Sequence, residues 1–460
     1  MGKAWHEQTA LELGAGIGGG AIDPVELTEH FLARIAAHDP KHLTYLRTTP
    51  GRAHAEAIAA RKRAKEKLRL SPLDGVPISW KDLFDTAGDV TAHGSLVLQD
   101  RVAKADALLV SRATRAGLVC LGKTNQTEFA FSILGINPML GTPANACDPK
   151  VDRVPGGSSS GAATSVARRL AAGAIGSDTG GSVRAPASWN GLVGLKTSFG
   201  RLPLDGALPL SPSMDTAGPL ARDVADAAAL FAILDGRFGI GGAQPPDLAG
   251  ASLGEMALLK PAKGILWSAL EDGIGDVLEA ALAKLAKAGA TVKDGEAPEF
   301  DEADAAIVRH GPYHSAEAYA IWKDAIEARP NLVFRPVLER MRFGATLTAT
   351  TVQTLRDILA GLGAQVTARI RAEGAIVAPT MALSPPPIAP LVTDMEAYSK
   401  ANLKGLRNTR LGNFLGLCAI TVPCGLDRNG LPVGLMVIGA PGSDERLLRM
   451  AKAIEIALAS

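Results

Sequence analysis

The chain has 460 residues, 47% of them hydrophobic, and its 48 basic residues almost balance its 47 acidic ones. That length allows roughly three domains of about 150 residues, although large α/β enzymes often form one unit of this size, and the apolar content is ample for a large core. The near-zero net charge gives no support for nucleic acid or an anionic membrane as a partner.

The cysteines and the start of the chain argue against further classes. No two of the four cysteines form a close CxxC pair, so neither a disulfide scaffold nor a zinc site is expected. The first residues, MGKAWHEQTA, contain no apolar signal segment. No run approaches the ~18 apolar residues of a membrane span. We therefore expect a cytoplasmic protein without a membrane segment.

Helical and strand patterns alternate along the chain. Apolar residues at helical spacing predict helices over 23–38 and 51–70. Short apolar runs predict strands over 75–80 and 118–123, with a helix over 107–117 between them. The same patterns predict a helix followed by a strand over 277–292, a helix over 352–370, a strand over 375–379 and a helix over 447–458. This alternation predicts an α/β fold: a large mixed, mostly parallel β-sheet covered by helices on both faces.

The domain organisation is expected to be simple. The sequence shows no repeats, no low-complexity linker and no clear break in composition. The weakest points are the loops near 236–250 and 383–392, but neither is taken as a boundary. We predict a single domain over 1–460, with 1–70 forming an N-terminal helical part packed on the core.

The densest chemical signal is a Gly- and Ser-rich block at 154–184. Its first loop, 156–161, precedes a helix-forming stretch and places Ser158 near a helix N-terminus. Its second loop, 178–182, would present a serine hydroxyl to substrate. Because glycine accepts positive φ, successive N–H groups there can converge on one point, as an oxyanion hole requires. The candidate donors are the backbone N–H groups of Thr179, Gly180, Gly181 and Ser182.

These glycines have other interpretations. A Gly/Ser loop before a helix is often only an N-cap and a turn. Residues 157–161 fit the GxSxG elbow of α/β-hydrolases, which needs a late histidine, yet the last histidines are His310 and His314. No Gly-Lys-Ser/Thr follows, as a P-loop requires. Residues 14–19 fit the dinucleotide-binding pattern GxGxxG, but no strand precedes them.

Lys81 directly follows the apolar run GVPISW at 75–80. Lysine is rarely fully buried unless it is paired. From this spacing alone, the favoured expectation is that Lys81 leaves the strand for solvent or pairs with Asp82.

Several long motifs follow one another along the chain: LDGVPISWKD, GKTNQTEFA, GGSSSGAA, GSDTGGSVRAPA, GLVGLKTSFGRLP, DTAGPLARDVADAA and GLPVGLMVIG. With these motifs the chain resembles the amidase signature family across nearly its whole length. The resemblance implies that family's fold, the hydrolysis of amides, and no metal or organic cofactor.

The resemblance also implies a catalytic triad of a lysine, a serine preceded by a cis peptide bond, and a nucleophilic serine. Residue by residue, these fall on Lys81, Ser158 and Ser182, with the cis bond between Gly157 and Ser158. The oxyanion donors fall on the backbone of residues 179–182.

For Lys81 to act as a base through Ser158, its amine must be neutral at rest. That demands a pKa depression of about 3 units from ≈ 10.4, which is about 4 kcal/mol, and burial can provide it. In the resemblance, Asp178 and Arg184 match flanking positions that brace the site.

The resemblance implies a small-molecule amide, carbamate or ester as the substrate. The family places main-chain groups near the nucleophile at Ala130, Phe131 and Ser132. Further candidates for lining the pocket, for each of which ordinary packing is the competing interpretation, are Tyr313, Trp322, His310 and His314. The apolar character of 129–140 favours an aryl or alkyl amide or carbamate over a small charged one.

The leading alternative is the glutaminase (A) subunit of a tRNA-dependent amidotransferase. Residues 339–355 resemble its glutamine-recognition stretch, and Arg340 matches its arginine, but the tyrosines expected beside it are absent. A second alternative is a non-catalytic binding or scaffold protein with the same fold. A homodimer is also compatible with the sequence.

Overall fold

The computed structural model describes residues 3–41, 43–236 and 246–459, so most of the loop expected near 236–250 lies outside the described residues. The strands are β1 (Tyr45–Thr48), β2 (Pro77–Lys81), β3 (Val119–Thr124), β4 (Gly173–Asp178), β5 (Val193–Lys196), β6 (Thr216–Ala221), β7 (Ala257–Pro261), β8 (Thr291–Gly295), β9 (Ala375–Pro379), β10 (Cys418–Leu426) and β11 (Pro432–Gly439). The helices are α1 (Ala10–Gly18), α2 (Pro24–His38), α3 (Pro50–Glu66), α4 (Leu108–Arg115), α5 (Ser160–Ala167), α6 (Arg184–Trp189), α7 (Val224–Leu234), α8 (Ile274–Lys287), α9 (Pro298–His310), α10 (His314–Ala328), α11 (Arg335–Gly344), α12 (Ala349–Glu373), α13 (Ile388–Thr393), α14 (Met395–Phe414) and α15 (Asp444–Ala459).

The strands form one 11-stranded mixed sheet in the order β1-β3-β2-β4-β6-β5-β10-β11-β9-β7-β8. Parallel pairing is confined to β3–β2–β4 and to β9–β7–β8, and the other neighbours are antiparallel. The expected α/β fold is confirmed, but the expectation of a mostly parallel sheet is wrong. The reason is that β10 and β11 form a hairpin, and β5 is followed by β6 through a loop instead of a crossover helix.

Alternate residues of a strand enter two separate hydrophobic clusters. In β11, Leu435 and Val437 belong to the cluster that contains Leu447 of α15, whereas Met436 and Ile438 belong to the cluster that contains residues of α9 and α12. Because side chains point to opposite faces of a strand in turn, both faces of the sheet are covered. None of the helices within the described ranges is long and apolar enough to cross a membrane.

Local sequence signals account for the ends of many helices. The Asp23 side chain accepts a hydrogen bond from the Val25 N–H at the start of α2, with a proline at the first helical position. Helix α3 ends before Lys67, which adopts a left-handed conformation at φ 58°. The predicted helix over 51–70 is therefore shorter at its C-terminal end.

The GxGxxG pattern at 14–19 lies within and just after α1 and not in a loop after a strand. A Cβ at Gly14 would lie 2.0 Å from the Pro72 carbonyl oxygen, so close packing explains the glycine there. The first N–H groups of α1 donate to the carboxyl of Asp226 in α7, which attaches this helix to the core.

Candidate active site

Lys81 is the last residue of β2, the strand between β3 and β4, and its side chain is fully buried. Its Nζ donates to Ser158 Oγ at 2.6 Å and to Ser177 Oγ at 2.8 Å. Burial lowers the pKa of Lys81 to about 7, although nearby carboxyl groups oppose the shift. The expectation that Lys81 leaves for solvent or pairs with Asp82 is wrong, because Asp82 pairs with Arg47 instead.

Ser158 lies two residues before α5, on the loop that the Gly/Ser block predicted. The peptide bond between Gly157 and Ser158 is cis, as the resemblance implies. A Cβ at Gly157 would lie 2.5 Å from the Gly135 backbone nitrogen and 2.6 Å from Thr127 Oγ1. Only glycine therefore fits beside Ser158 without displacing the neighbouring loop.

Ser182 lies on the short loop between β4 and α6. Its backbone carbonyl accepts a hydrogen bond from the Ser159 N–H at 3.3 Å, so the two predicted loops touch. Only 5% of Ser182 is exposed, and that part faces a cavity. Gly181 has φ +125°, and a Cβ there would lie 2.1 Å from Thr409 Oγ1, so the loop conformation requires glycine.

Asp178 and Arg184 form a fully buried ion pair at the two ends of this loop. Arg184 donates from Nε at 3.0 Å and from Nη2 at 2.9 Å to the two carboxyl oxygens. Burial by itself would raise the pKa of Asp178, but the Arg184 guanidinium holds it below its usual range. The ionised carboxylate also accepts the Gly181 N–H at 2.8 Å, which fixes the loop.

The four backbone N–H groups predicted as oxyanion donors therefore differ in whether they already donate a hydrogen bond. The Gly181 N–H is bonded to Asp178. Within the described part of the chain, the backbone N–H groups of Thr179, Gly180 and Ser182 have no acceptor. The Thr179 hydroxyl donates to Asp215 at 2.5 Å, which anchors the start of the loop.

A cavity of about 320 Å³ opens in front of Ser182. Ala130, Phe131 and Ser132 line it, together with Thr179 and Gly180 of the loop, and all of these were among the predicted site residues. Ser132 donates to Asn402 Oδ1 at 2.8 Å, which attaches this segment to α14.

Tyr313 and Trp322 do not line this cavity, contrary to the sequence-based expectation. The Tyr313 ring packs edge-on against Phe414, under the Arg356 guanidinium. The Trp322 ring packs on Phe129, and its indole N–H donates to the Pro209 carbonyl at 2.9 Å. Of the remaining candidates, His314 lines the cavity, whereas His310 does not.

Two helices contribute further cavity residues, of which the sequence pointed only to Arg340, as the arginine of the glutaminase alternative. Helix α11 contributes Arg340, and α14 contributes one face whose members recur at helical spacing: Met395, Tyr398, Ser399, Asn402, Leu403, Leu406 and Arg410. That spacing was the available signal, but an amphipathic face is equally typical of ordinary core packing.

The cavity contains basic and unpaired polar groups. Arg340 makes no ion pair with a described residue, and its Nη1 donates to the Phe131 carbonyl at 2.5 Å. Burial lowers the pKa of Arg340 to about 10, which leaves it charged at neutral pH. Among the described residues, neither the Tyr398 hydroxyl nor His314 Nδ1 has a hydrogen-bond partner. The arrangement leaves the Arg340 cation at the cavity wall, whereas the two unpaired polar atoms are themselves buried.

A family model described as Amidase matches residues 26–448. The chain belongs to the amidase family. As a member of this family it is an enzyme, a hydrolase that acts on amide C–N bonds. No group of three or more His, Cys, Asp or Glu side chains suited to hold a metal occurs in the described ranges.

Three similar proteins illustrate the breadth of the amidase family. A 2-amino-5-chloromuconic acid deaminase of Comamonas testosteroni is 36% identical over 421 residues, which cover 91% of this chain and 89% of that protein. The A subunit of the glutamyl-tRNA(Gln) amidotransferase of Myxococcus xanthus is 34% identical, with coverage of 97% and 96%. The structure of native peptide amidase from Stenotrophomonas maltophilia matches with a TM-score of 0.81 at 29% identity, covering 99% of this chain and 97% of the other.

Proposed function

We propose that this amidase cleaves its substrate through an acyl-enzyme on Ser182, with Ser158 and Lys81 as a proton relay. The observation that carries the proposal is the contact between Lys81 Nζ and Ser158 Oγ at 2.6 Å inside a buried site. A serine hydroxyl is a weak nucleophile until a base takes its proton. With a pKa of about 7, a large share of Lys81 is neutral at neutral pH and can serve as that base.

In the first half of the cycle, Ser182 Oγ attacks the carbonyl carbon of the substrate. Its proton passes to Ser158 Oγ, while the Ser158 proton passes to Lys81 Nζ. The negative charge that develops on the carbonyl oxygen is stabilised by the free N–H groups of Thr179, Gly180 and Ser182. Gly181 holds the loop in shape through its bond to Asp178 and contributes its N–H as a shared donor.

The C–N bond then breaks, and its electron pair stays on the nitrogen. The proton returns from Lys81 through Ser158 to that nitrogen, so the amine leaves uncharged. Water attacks the acyl-enzyme by the same relay and releases the carboxylic acid product and free Ser182.

For the substrate class, we propose an amide whose acyl part carries a carboxylate. Arg340 reaches the cavity wall without an acidic partner among the described residues, and Tyr398, whose buried hydroxyl is unpaired among them, belongs to the same wall. A guanidinium and a hydroxyl bind a carboxylate by charge-assisted hydrogen bonds. The name of the Comamonas relative also specifies an acid. The sequence favoured an aryl or alkyl amide or carbamate over a small charged one; we add a carboxylate to that substrate, and the apolar wall still accommodates its hydrocarbon part.

A second candidate is the glutaminase component of an amidotransferase, which takes ammonia from glutamine. The 34% identity to the Myxococcus protein and the position of Arg340 in the cavity support it. The two candidates are separated by incubating the purified chain with glutamine and with other carboxylate-bearing amides. Ammonia release from glutamine alone, together with co-purification of partner subunits, would favour the amidotransferase.

The triad is tested by labelling with a fluorophosphonate and by substitution. We expect the label on Ser182, and we expect Ser182→Ala and Lys81→Ala to be folded but nearly inactive. Ser160→Ala is the matched control, because Ser160 lies in the same block with a buried hydroxyl that has no partner among described residues. Labelling at another residue, or wild-type turnover in Ser182→Ala, would remove the assignment.

A further inference from the structure

The segment 128–131, which forms part of the cavity wall, has an unusual backbone. Phe129 and Ala130 both have positive φ, at 49° and 56°. Two such residues that are not glycine persist only where the surrounding structure fixes them. Ala130 and Phe131 line the cavity in front of Ser182. The contacts that hold this segment therefore determine the shape of one wall of the cavity.

Glu128 begins the segment, and its carboxyl group bonds to two other parts of the chain. Oε2 accepts the N–H of Phe334, the N-cap residue of α11, at 2.6 Å. Oε1 accepts the hydroxyl of Ser95 at 2.6 Å. The side chain is fully buried, and no basic side chain within the described ranges pairs with it. Glu128 thus joins the segment to α11 as a hydrogen-bond acceptor and not as the partner of a cation.

Arg340 joins the other end of the segment to the same helix. It follows Phe334 by less than two turns of α11, about 9 Å along the axis. Its Nη1 donates to the Phe131 carbonyl at 2.5 Å, and its guanidinium carbon lies 4.3 Å from the centre of the Phe131 ring. Because the helix is rigid over this length, a shift at the contact between Glu128 and Phe334 is transmitted to Arg340.

We propose that Glu128 is a positioning residue that holds α11 where Arg340 can bind the carboxylate of the substrate. This inference rests on the proposed function, in which Arg340 makes that contact. The length of the Glu128 side chain is then essential, because its two oxygens span the space between Ser95 and Phe334.

The charge of Glu128 is not needed for this role. Burial raises the pKa of Glu128 to about 7, so part of it is protonated at neutral pH. The protonated group can donate to Ser95 Oγ and still accept the Phe334 N–H, so both forms connect the same two partners. A glutamine side chain offers the same donor and acceptor. An aspartate keeps the charge but is shorter by one methylene.

The test uses monoamides of succinic, glutaric and adipic acids together with their methyl esters, and it measures the release of ammonia. The quantity compared is kcat/KM for the acid divided by kcat/KM for its ester, for the acid that the wild type cleaves fastest. Glu128→Asp should lower this acid-to-ester ratio by about fivefold or more, because its carboxyl group no longer reaches both partners. Glu128→Gln should keep the ratio within about twofold of the wild-type value, because both hydrogen bonds remain.

A double variant tests whether the effect of Glu128 passes through Arg340. With Arg340→Met already in place, Glu128→Asp should change the acid-to-ester ratio by less than about twofold. Glu327→Asp is the matched control, because Glu327 is an exposed glutamate that also contacts α11, through Arg342. It should leave the ratio unchanged.

A second pair of variants removes the donor from the same contact. Phe334 has φ −60°, a value that proline also adopts, so Phe334→Pro deletes the N–H without changing this backbone angle. Phe334→Ala is its control, because it also removes the ring that packs edge-on against Tyr398 but keeps the N–H. The acid-to-ester ratio should be lower in Phe334→Pro than in Phe334→Ala by about threefold or more.

Three results would overturn the inference: equal losses on the acid and its ester in Glu128→Asp, a ratio as low in Glu128→Gln as in Glu128→Asp, or additive losses in the double variant. If Glu128→Asp does not fold, the comparison of Phe334→Pro with Phe334→Ala decides, and equal ratios there would refute the inference.

Failure of the proposed substrate class gives a different result. No ammonia from any of the three acids, or an unchanged ratio in Arg340→Met, refutes that class and this inference with it. A lower ratio in Arg340→Met with an unchanged ratio in Glu128→Asp refutes only the role of Glu128.

Discussion

The Lys81 Nζ donates a hydrogen bond of 2.6 Å to the hydroxyl of Ser158, and both side chains are fully buried. Lys81 lies at the end of a central strand, and Ser158 lies on a loop 77 residues later. The strand delivers the amine into the interior, and the Gly157–Ser158 loop brings the hydroxyl to it. Lys81 is a buried amine with two hydroxyl partners and no directly bonded carboxylate among the described residues, which holds its pKa close to neutral pH.

The first prediction concerns the pH dependence of catalysis. The proposed base is the neutral form of Lys81, whose pKa is about 7. We therefore expect kcat/KM to rise with pH through an apparent pKa near that value and to level off above it. Below about pH 6 the rate should fall tenfold per pH unit. The rate of fluorophosphonate labelling at Ser182 should follow the same curve, and a flat profile between about pH 5.5 and 8.5 would contradict the role of Lys81.

The second prediction concerns the stability cost of the same lysine. Its pKa is lowered in the folded state from 10.5 to about 7, so between these pH values the unfolded chain binds more protons than the folded one. Stability therefore rises with pH across this window, by roughly 4–5 kcal/mol in total for this group. Lys81→Met removes this dependence. We expect the variant to be more stable than the wild type near pH 7, and we expect this difference in stability to shrink as the pH approaches 10.

This stability effect is measured as the difference in urea midpoint between the wild type and Lys81→Met at several pH values. The control is Lys62→Met, because Lys62 is exposed on α3 at a surface pair with Glu66. The urea midpoint of that variant should differ little from the wild-type midpoint at every pH. If the difference in urea midpoint between Lys81→Met and the wild type widened as the pH rose, it would contradict a lowered pKa of Lys81 in the folded state.

Much of the site was predictable because its signals are local. The strand before Lys81 and the two Gly/Ser loops carry their chemistry in short stretches, and a helix follows the first loop, as expected. The cis bond before Ser158 was implied by the resemblance and is present. The mostly parallel sheet was wrong because the pattern of apolar runs does not encode strand direction. The single-domain organisation and the homodimer stay predictions.

The cavity could not be predicted in the same way. Arg340 and Tyr398 lie on helices far along the chain from Ser182, and only tertiary packing brings them to the same space. Tyr313 and Trp322 were candidates for which ordinary packing was the competing interpretation, and both rings pack against other rings instead of lining the cavity. Residue type alone does not tell which face of α10 meets the cavity.

The third prediction concerns substrate charge. Removing one partner of a buried charge pair costs about 2–5 kcal/mol, so Arg340→Met should lower kcat/KM for a carboxylate-bearing amide by roughly 30-fold or more. The same variant should change turnover of the uncharged methyl ester of that substrate by less than about threefold. Tyr398→Phe should have a smaller effect, about fivefold to tenfold, since it removes one hydrogen bond to a charged group.

Arg335→Met is the matched control for this prediction. Arg335 lies on the same helix, is exposed and pairs with Glu339. It should leave both substrates unaffected. If Arg340→Met lowered kcat/KM equally for the acid and its ester, the guanidinium would support the Phe131 carbonyl and would not bind the substrate carboxylate.

The fourth prediction concerns the ion pair that fixes the nucleophile loop. Asp178 and Arg184 are both fully buried, so Arg184→Met leaves an uncompensated carboxylate and should destabilise the fold by about 3–5 kcal/mol. Asp178→Asn combined with Arg184→Met should recover part of that loss, because the unpaired carboxylate is then removed. Arg428→Met, at an exposed pair with Asp272, should cost less than about 0.5 kcal/mol. Fluorophosphonate labelling distinguishes the positioning of the loop from the stability of the fold. Because Asp178 also accepts the Gly181 N–H, the double variant should keep its fold but lose most of its labelling. A fully labelled double variant would show that the loop holds its shape without the carboxylate.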